Sequence, residues 1–138
     1  MNILSYYIIL LLTIIFKLFI KLDKNMINAA ILGLGWWGKH ITETLSKSSL
    51  IQIKAACSRT KEKHTQFIEE HNLKYYKNYI DLLSDNEIDA IIICTPNSKH
   101  EEQALMAIDA KKQVFCENHM TLKRQSATKI INAEKKSE

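Results

Sequence analysis

From residue 26 onward, short apolar runs alternate with longer stretches in which apolar residues recur every three or four positions. Residues 28–32 (NAAIL) form an apolar run of strand type. After it, Trp37, Ile41 and Leu45 recur at i, i+4 and i+8, which predicts a helix over 36–45 with one apolar face. Residues 51–56 read as the second strand. Thr60 stands where a cap would open a helix over 61–71, with Phe67 and Ile68 turned inward. Residues 73–76 form a short third strand, and Asn78 caps a brief helix holding Leu82 and Leu83. Residues 90–94 (AIIIC) are a continuous, mostly β-branched run, the pattern of a central strand buried on both faces. Ser98 and Glu101 have the spacing of a capping box for a helix that turns Ala104, Leu105, Ala107 and Ile108 to the core. Residues 114–116 read as a fifth strand, and Thr121 opens a last amphipathic helix. Strands alternating with helices call for an α/β fold with a parallel sheet, right-handed crossovers and helices on both faces.

The first 25 residues break this pattern. Residues 3–16 are uncharged and almost wholly apolar, Lys17 interrupts, and residues 18–20 continue the run. These 18 positions approach the roughly 20 apolar residues of a spanning helix. No basic stretch or small-residue cleavage site of a secretory signal precedes Lys17. Three readings stand: a membrane anchor with the following basic residues on the cytoplasmic side, an uncleaved signal, or upstream sequence with Met26 as the true start. The third is favoured, because Met26 lies two residues before the first strand. The organisation expected is thus an apolar segment over 1–25 and one α/β domain over 26–138.

Composition narrows the function. The chain of 138 residues has ordinary hydrophobic (46%) and charged (25%) content, which fits one globular domain. Its net charge of +4 forms no basic stripe interleaved with aromatics, so nucleic acid is not indicated. Three widely spaced cysteines, Cys57, Cys94 and Cys116, suggest free thiols in a reducing, cytoplasmic compartment. A zinc site from Cys94, His100, Cys116 and His119 lacks any C-x-x-C pair to support it, so no metal is expected.

The chemistry concentrates after the first strand. Gly33, Gly35 and Gly38 have the spacing G-x-G-x-x-G between strand and helix, and they are the only glycines of the chain. In that order the first makes the tight turn, the second lets backbone approach a pyrophosphate, and the third lets helix pack on strand. The helix N-terminus then offers its N–H groups and positive dipole end to phosphate. At the end of the second strand an NAD site would place an acid. Here stand Ser58 and Arg59, which suit the 2′-phosphate of NADP, so NADP is slightly favoured over NAD. The fourth strand ends in Thr95, Pro96 and Asn97, followed by His100, at the sheet edge where open α/β folds hold their ligands. Pro96 fixes its backbone and donates no N–H, so it can present a rigid edge to a flat ring.

Taken together, the glycine motif with Trp36 and Trp37, the ACSRT stretch at 56–60, Leu82–Leu83 ahead of Asp89–Ala90, TPN at 95–97 with His100, and VFCEN at 114–118 resemble the nucleotide-binding half of the Gfo/Idh/MocA oxidoreductases. The resemblance covers about 26–131. It implies a Rossmann-type sheet of order 3-2-1-4-5 and hydride transfer between a nicotinamide cofactor and a sugar, polyol or related substrate. It implies that Trp36 and Trp37 belong to the cofactor site, that Thr95–Asn97 and His100 line the nicotinamide side, and that Glu117 lies near the nicotinamide ribose. The family's Glu-Lys-Pro motif is broken, since Asn118 and His119 follow Glu117. An asparagine amide does not titrate, so no catalytic residue is assigned here. The family's second, substrate-binding domain has no counterpart before Glu138. The expectation is a truncated enzyme or half-enzyme, inactive alone, with a catalytically silent dinucleotide-binding module as the alternative.

Overall fold

The computed structural model describes residues 26–117 and 124–137. Five parallel strands, β1 (Ile27–Leu32), β2 (Ile51–Cys57), β3 (Lys74–Tyr76), β4 (Ala90–Ile93) and β5 (Gln113–Cys116), lie in the order β3-β2-β1-β4-β5. Five α-helices connect or follow them: α1 (Trp36–Leu45), α2 (Thr65–Glu70), α3 (Tyr79–Leu83), α4 (His100–Asp109) and α5 (Arg124–Ser137). This is the Rossmann-type topology that the sequence predicts. The expected cap residue Thr121, like Asn118 and His119, lies outside the described residues.

The sheet separates two apolar cores. Ala30, Leu32, Ala55, Leu82, Ile91, Ile93, Ala104 and Ile130 fill the face under α3, α4 and α5. Ala29, Ile31, Leu34, Ala56, Phe67, Ile68 and Ile92 fill the face under α1 and α2. β4 is buried on both sides, as its AIII run requires. Pairing between β1 and β2 is not uniform. Ala29 faces Ile53 but Ala30 faces Ala55, so Lys54 is an extra residue on β2. Ile51 and Ile53 therefore lie on one face, and Ala55, two residues further on, lies on the other.

Three local expectations need correction. Trp37 does not share the inward face of α1, being 49% exposed. Gly38 and Thr42 are the buried residues of that helix, with Ile41 and Leu45 half-buried. The Thr42 hydroxyl donates back to the Gly38 carbonyl at 2.8 Å, which lets a polar residue take a core position. Thr60 is not a cap, because a turn over 61–64 comes first and α2 opens only at Thr65. Residues 61–63 are charged and exposed, and the buried Phe67 and Ile68 anchor α2 further on. Ser98 forms no capping box. It sits inside a 3-10 turn, Asn97–Lys99, closed by the Lys99 N–H on the Pro96 carbonyl at 2.9 Å, while Glu101 faces Lys129 at 3.3 Å.

Candidate functional site: a phosphate-binding turn at the carboxyl edge of the sheet

The turn after β1 is built by close backbone contact. Gly33 has φ +104°, a conformation that side chains rarely adopt, and a Cβ there would lie 2.9 Å from the Cys94 carbonyl oxygen. A Cβ on Gly38 would lie 2.0 Å from the Gly33 carbonyl oxygen, so α1 packs on this turn only without a side chain. Gly35 differs, because a Cβ there would meet nothing within 4 Å. It is the N-cap of α1, with no side-chain cap bond and no acidic residue in the first turn of the helix. The helix start thus keeps open space and its positive dipole end, as a pyrophosphate requires.

Backbone bonds align the other strand ends with this turn. The Gly33 N–H donates to the Cys57 carbonyl at 2.8 Å, the Cys94 N–H to the Leu32 carbonyl at 2.8 Å, and the Glu117 N–H to the Ile93 carbonyl at 3.0 Å. Ser58, Thr95 and Glu117 therefore leave the sheet at the same edge as the glycines.

Ser58 carries the most telling side chain. Its Oγ is buried and has no hydrogen-bond partner among the described residues, while its carbonyl accepts the Tyr75 hydroxyl at 2.6 Å. A buried hydroxyl without a partner costs about 1–3 kcal/mol, and a ligand oxygen would relieve it. Arg59 beside it is exposed. These features fit a dinucleotide: an uncapped helix start for pyrophosphate, and an orphaned hydroxyl with a guanidinium where the adenosine ribose belongs.

The Thr95–Asn97 segment is fixed from behind. The Thr95 hydroxyl bonds Gln103 Oε1 at 2.5 Å, and His100 Nε2 lies 2.6 Å from the Thr95 carbonyl. His100 is fully buried, so it reaches the site through Thr95 rather than by lining its surface. Pro96 is exposed, and Asn97 and Glu117 are half-buried. Trp36, 70% exposed, stacks on His40 with centroids 5.2 Å apart and meets Trp37 edge-on at 4.7 Å. Three supporting residues, Tyr75, Gln103 and His40, escaped sequence reasoning. Only His40 had a signal, its spacing of four from Trp36. The strand-end thiols are held protonated. Burial foremost, then Asp81, pushes Cys57 up to about 11. Burial, then Glu117 and Cys116, does the same for Cys94, and burial, then Glu117, for Cys116.

A parallel 3-2-1-4-5 sheet with this turn at its carboxyl edge defines a dinucleotide-binding domain, and comparison with known proteins narrows the class. The model of the oxidoreductase family with NAD-binding Rossmann fold, Gfo/Idh/MocA, matches residues 27–138, and the chain belongs to that family as an NAD(P)-binding domain. An uncharacterized oxidoreductase of Bacillus subtilis, YrbE, is 31% identical over 113 residues, 81% of this chain and 33% of that protein. Inositol 2-dehydrogenase of Salmonella typhimurium is 27% identical over 114 residues, 80% of this chain and 34% of that protein. The crystal structure of an NAD-binding protein from Listeria innocua superimposes with a TM-score of 0.75 at 26% identity, covering 80% of this chain and 33% of that one. The chain thus spans about a third of the length of the relatives it matches. Among the described residues no helix is long and apolar enough to cross a membrane.

Proposed function

We propose that this chain supplies the cofactor half of an oxidoreductase that moves hydride between a nicotinamide dinucleotide and a sugar or polyol. The carrying observation is the uncapped start of α1 at Gly35, beside the orphaned Ser58 hydroxyl. When bound, the dinucleotide supplies the hydride-transferring ring. The chain's own residues bind and orient it. Gly33, Gly35 and Gly38 with the α1 N–H groups take the pyrophosphate, and Trp36 and Trp37 flank it. Ser58 and Arg59 take the adenosine ribose and prefer NADP, since a guanidinium pairs with a 2′-phosphate. Thr95, Pro96 and Asn97 bear on the nicotinamide, with His100 as a positioning residue behind Thr95. Glu117 meets the nicotinamide ribose. A polyol substrate is suggested by the relative named inositol 2-dehydrogenase, and its pocket would come from a second domain. The unpaired thiols suit a reducing cytoplasm.

Calorimetry on the full chain with NADPH and NADH tests this. One-to-one binding is expected, with NADPH about tenfold tighter, the worth of one charge-assisted contact. Arg59→Ala should abolish the preference and leave NADH affinity unchanged. A folded chain that binds neither dinucleotide would refute the reading. A second reading, a catalytically silent dinucleotide module, is favoured by one observation: Asn118 and His119 stand where the resemblance calls for Lys-Pro. It predicts binding without turnover even when a family substrate domain is supplied.

A further inference from the structure

Among the described residues, the buried side-chain polar atoms that lack a hydrogen-bond partner are Ser58 Oγ and His64 Nδ1, and both belong to the segment that follows β2. Ser58 is accounted for by the adenosine ribose; His64 is not. Its backbone is fixed. The His64 N–H closes the turn over 61–64 on the Lys61 carbonyl at 2.8 Å, and its own carbonyl accepts the Ile68 N–H at 2.9 Å. The half-buried ring is thus held at the start of α2 with one nitrogen shut in and unsatisfied. Such an atom is a standing cost until a ligand completes its surroundings.

The charges around the segment have one sign. From residue 58 to 68 the chain carries Arg59, Lys61 and Lys63 against a single acid, the exposed Glu62. Two aromatic rings hold cations at its ends. Lys61 Nζ stands 5.5 Å from the centroid of Tyr75, whose hydroxyl donates to the Ser58 carbonyl. Lys39 Nζ, from α1, stands 5.2 Å from the centroid of Phe67, one helical turn beyond His64. Burial foremost, then Lys39 across from α1 and Lys63 on its own turn, hold the His64 pKa below the ordinary histidine value, and no carboxylate is among the groups that act on it. An imidazole between two ammonium groups stays neutral, because a third cation there is repelled. A dianion arriving among them reverses the sign, since it screens the lysines and attracts the imidazolium. A phosphate monoester carries that charge, and the free ribose hydroxyl of NAD does not.

We propose that His64, with Lys39 and Lys63, is a specificity-determining residue for the 2′-phosphate of NADP, its ring taking up a proton as the phosphate binds, so that pH modulates the preference for NADP over NAD. The inference rests on the dinucleotide reading above and deepens it. Arg59, charged at every working pH, holds the phosphate, and His64 sets how tightly it is held as pH changes.

The test uses the full chain. Calorimetry at pH 7 in two buffers of different ionisation enthalpy should show net proton uptake with NADP+ and none with NAD+. From pH 6.5 to 8 the affinity for NADP+ should fall about twofold or more while that for NAD+ holds. An NMR titration of the His64 ring in the unaltered chain should lie below the ordinary histidine value alone, rise above it with NADP+, and stay low with NAD+ or with inorganic phosphate at the same concentration. His64→Gln, shown to be folded by circular dichroism, should lose the uptake and the pH slope and keep its NAD+ affinity. Binding of both dinucleotides without proton uptake would overturn the role of His64 and leave the dinucleotide reading standing, whereas a folded chain that binds neither would overturn both. A His64 titration raised equally by inorganic phosphate would make the segment a general anion site and overturn the proposal, as would a pH slope that survives His64→Gln.

Discussion

A methyl group added at Gly38 would fall 2.0 Å from the Gly33 carbonyl oxygen and 3.0 Å from Ile31 Cγ2, both fixed by the core. Gly38→Ala is therefore expected to destabilise the fold by about 1–3 kcal/mol or more, read as a lower urea midpoint. The same change at Gly35 meets open space at an ordinary backbone φ of −72°. Gly35→Ala should keep stability within about 0.5 kcal/mol while weakening dinucleotide binding at least several-fold by calorimetry. Three residues apart, the two substitutions separate packing from binding. Asp85 carries a pH dependence. It accepts the Tyr76 hydroxyl, the Glu87 N–H at 2.9 Å and Lys74 at 3.0 Å, and these hold its carboxyl down from 3.8 to about 2. A folded-state pKa below the unfolded one means the unfolded chain binds the proton first. The stabilisation is complete above pH 4 and is lost as pH falls from about 4 to about 2. Urea midpoints measured across that window should drop, with a shallower drop in Asp85→Asn.

At the scale of elements, the ends of strands and the starts of helices carry the site, and both are locked by partners distant in sequence. α4 holds the loop after β4 by its first residue, His100, on the Thr95 carbonyl. His100→Ala empties a fully buried position and should cost about 2–4 kcal/mol in a denaturation experiment. The three strand-end thiols, raised to about 11, should react slowly with iodoacetamide at pH 7.5 in the folded chain and quickly in urea. Their sign is opposite to that of Asp85: the folded state keeps the proton, so stability declines as pH rises from about 9 towards 11. Strand positions were legible because AIII at 90–93 and the run at 28–32 are apolar on both faces or nearly so. The starts of α1 and of α3, behind Asn78, were legible too, but those of α2 and α4 were not. Thr60 and Ser98 carry cap chemistry, but the turns at 61–64 and 97–99 were set by where the next apolar anchor lay and by Pro96.

Across the whole molecule, β1 and β4 occupy the middle of the sheet, and β3 and β5 its edges. Hydrogen exchange should be slowest at Ala30, Ile31, Ile91 and Ile93 and fastest among strand amides at Lys74–Tyr76. Uniform protection across the five strands would contradict this ranking. The parallel sheet and the edge that holds the glycines followed from alternating pattern and motif together, and the order of the strands from the family resemblance. The support behind the site did not, because Tyr75 and Gln103 reach Ser58 and Thr95 through folding, with no periodicity to announce them.

Lys54, the surplus residue of β2, is taken up before the ligand edge. Each later residue of β2 is shifted by one step, so odd and even positions exchange faces between Ile53 and Ala55. Cys57, the last residue of the strand, owes its place in the core under α3, α4 and α5 to that step. Deleting Lys54 would restore an unbroken ladder and leave Ala55, Ala56 and Cys57 opposite Ala30, Ile31 and Leu32, so the faces beyond the step would not change. In such a sheet a codon gained in mid-strand is absorbed where it falls, and the carboxyl edge beyond it keeps its frame.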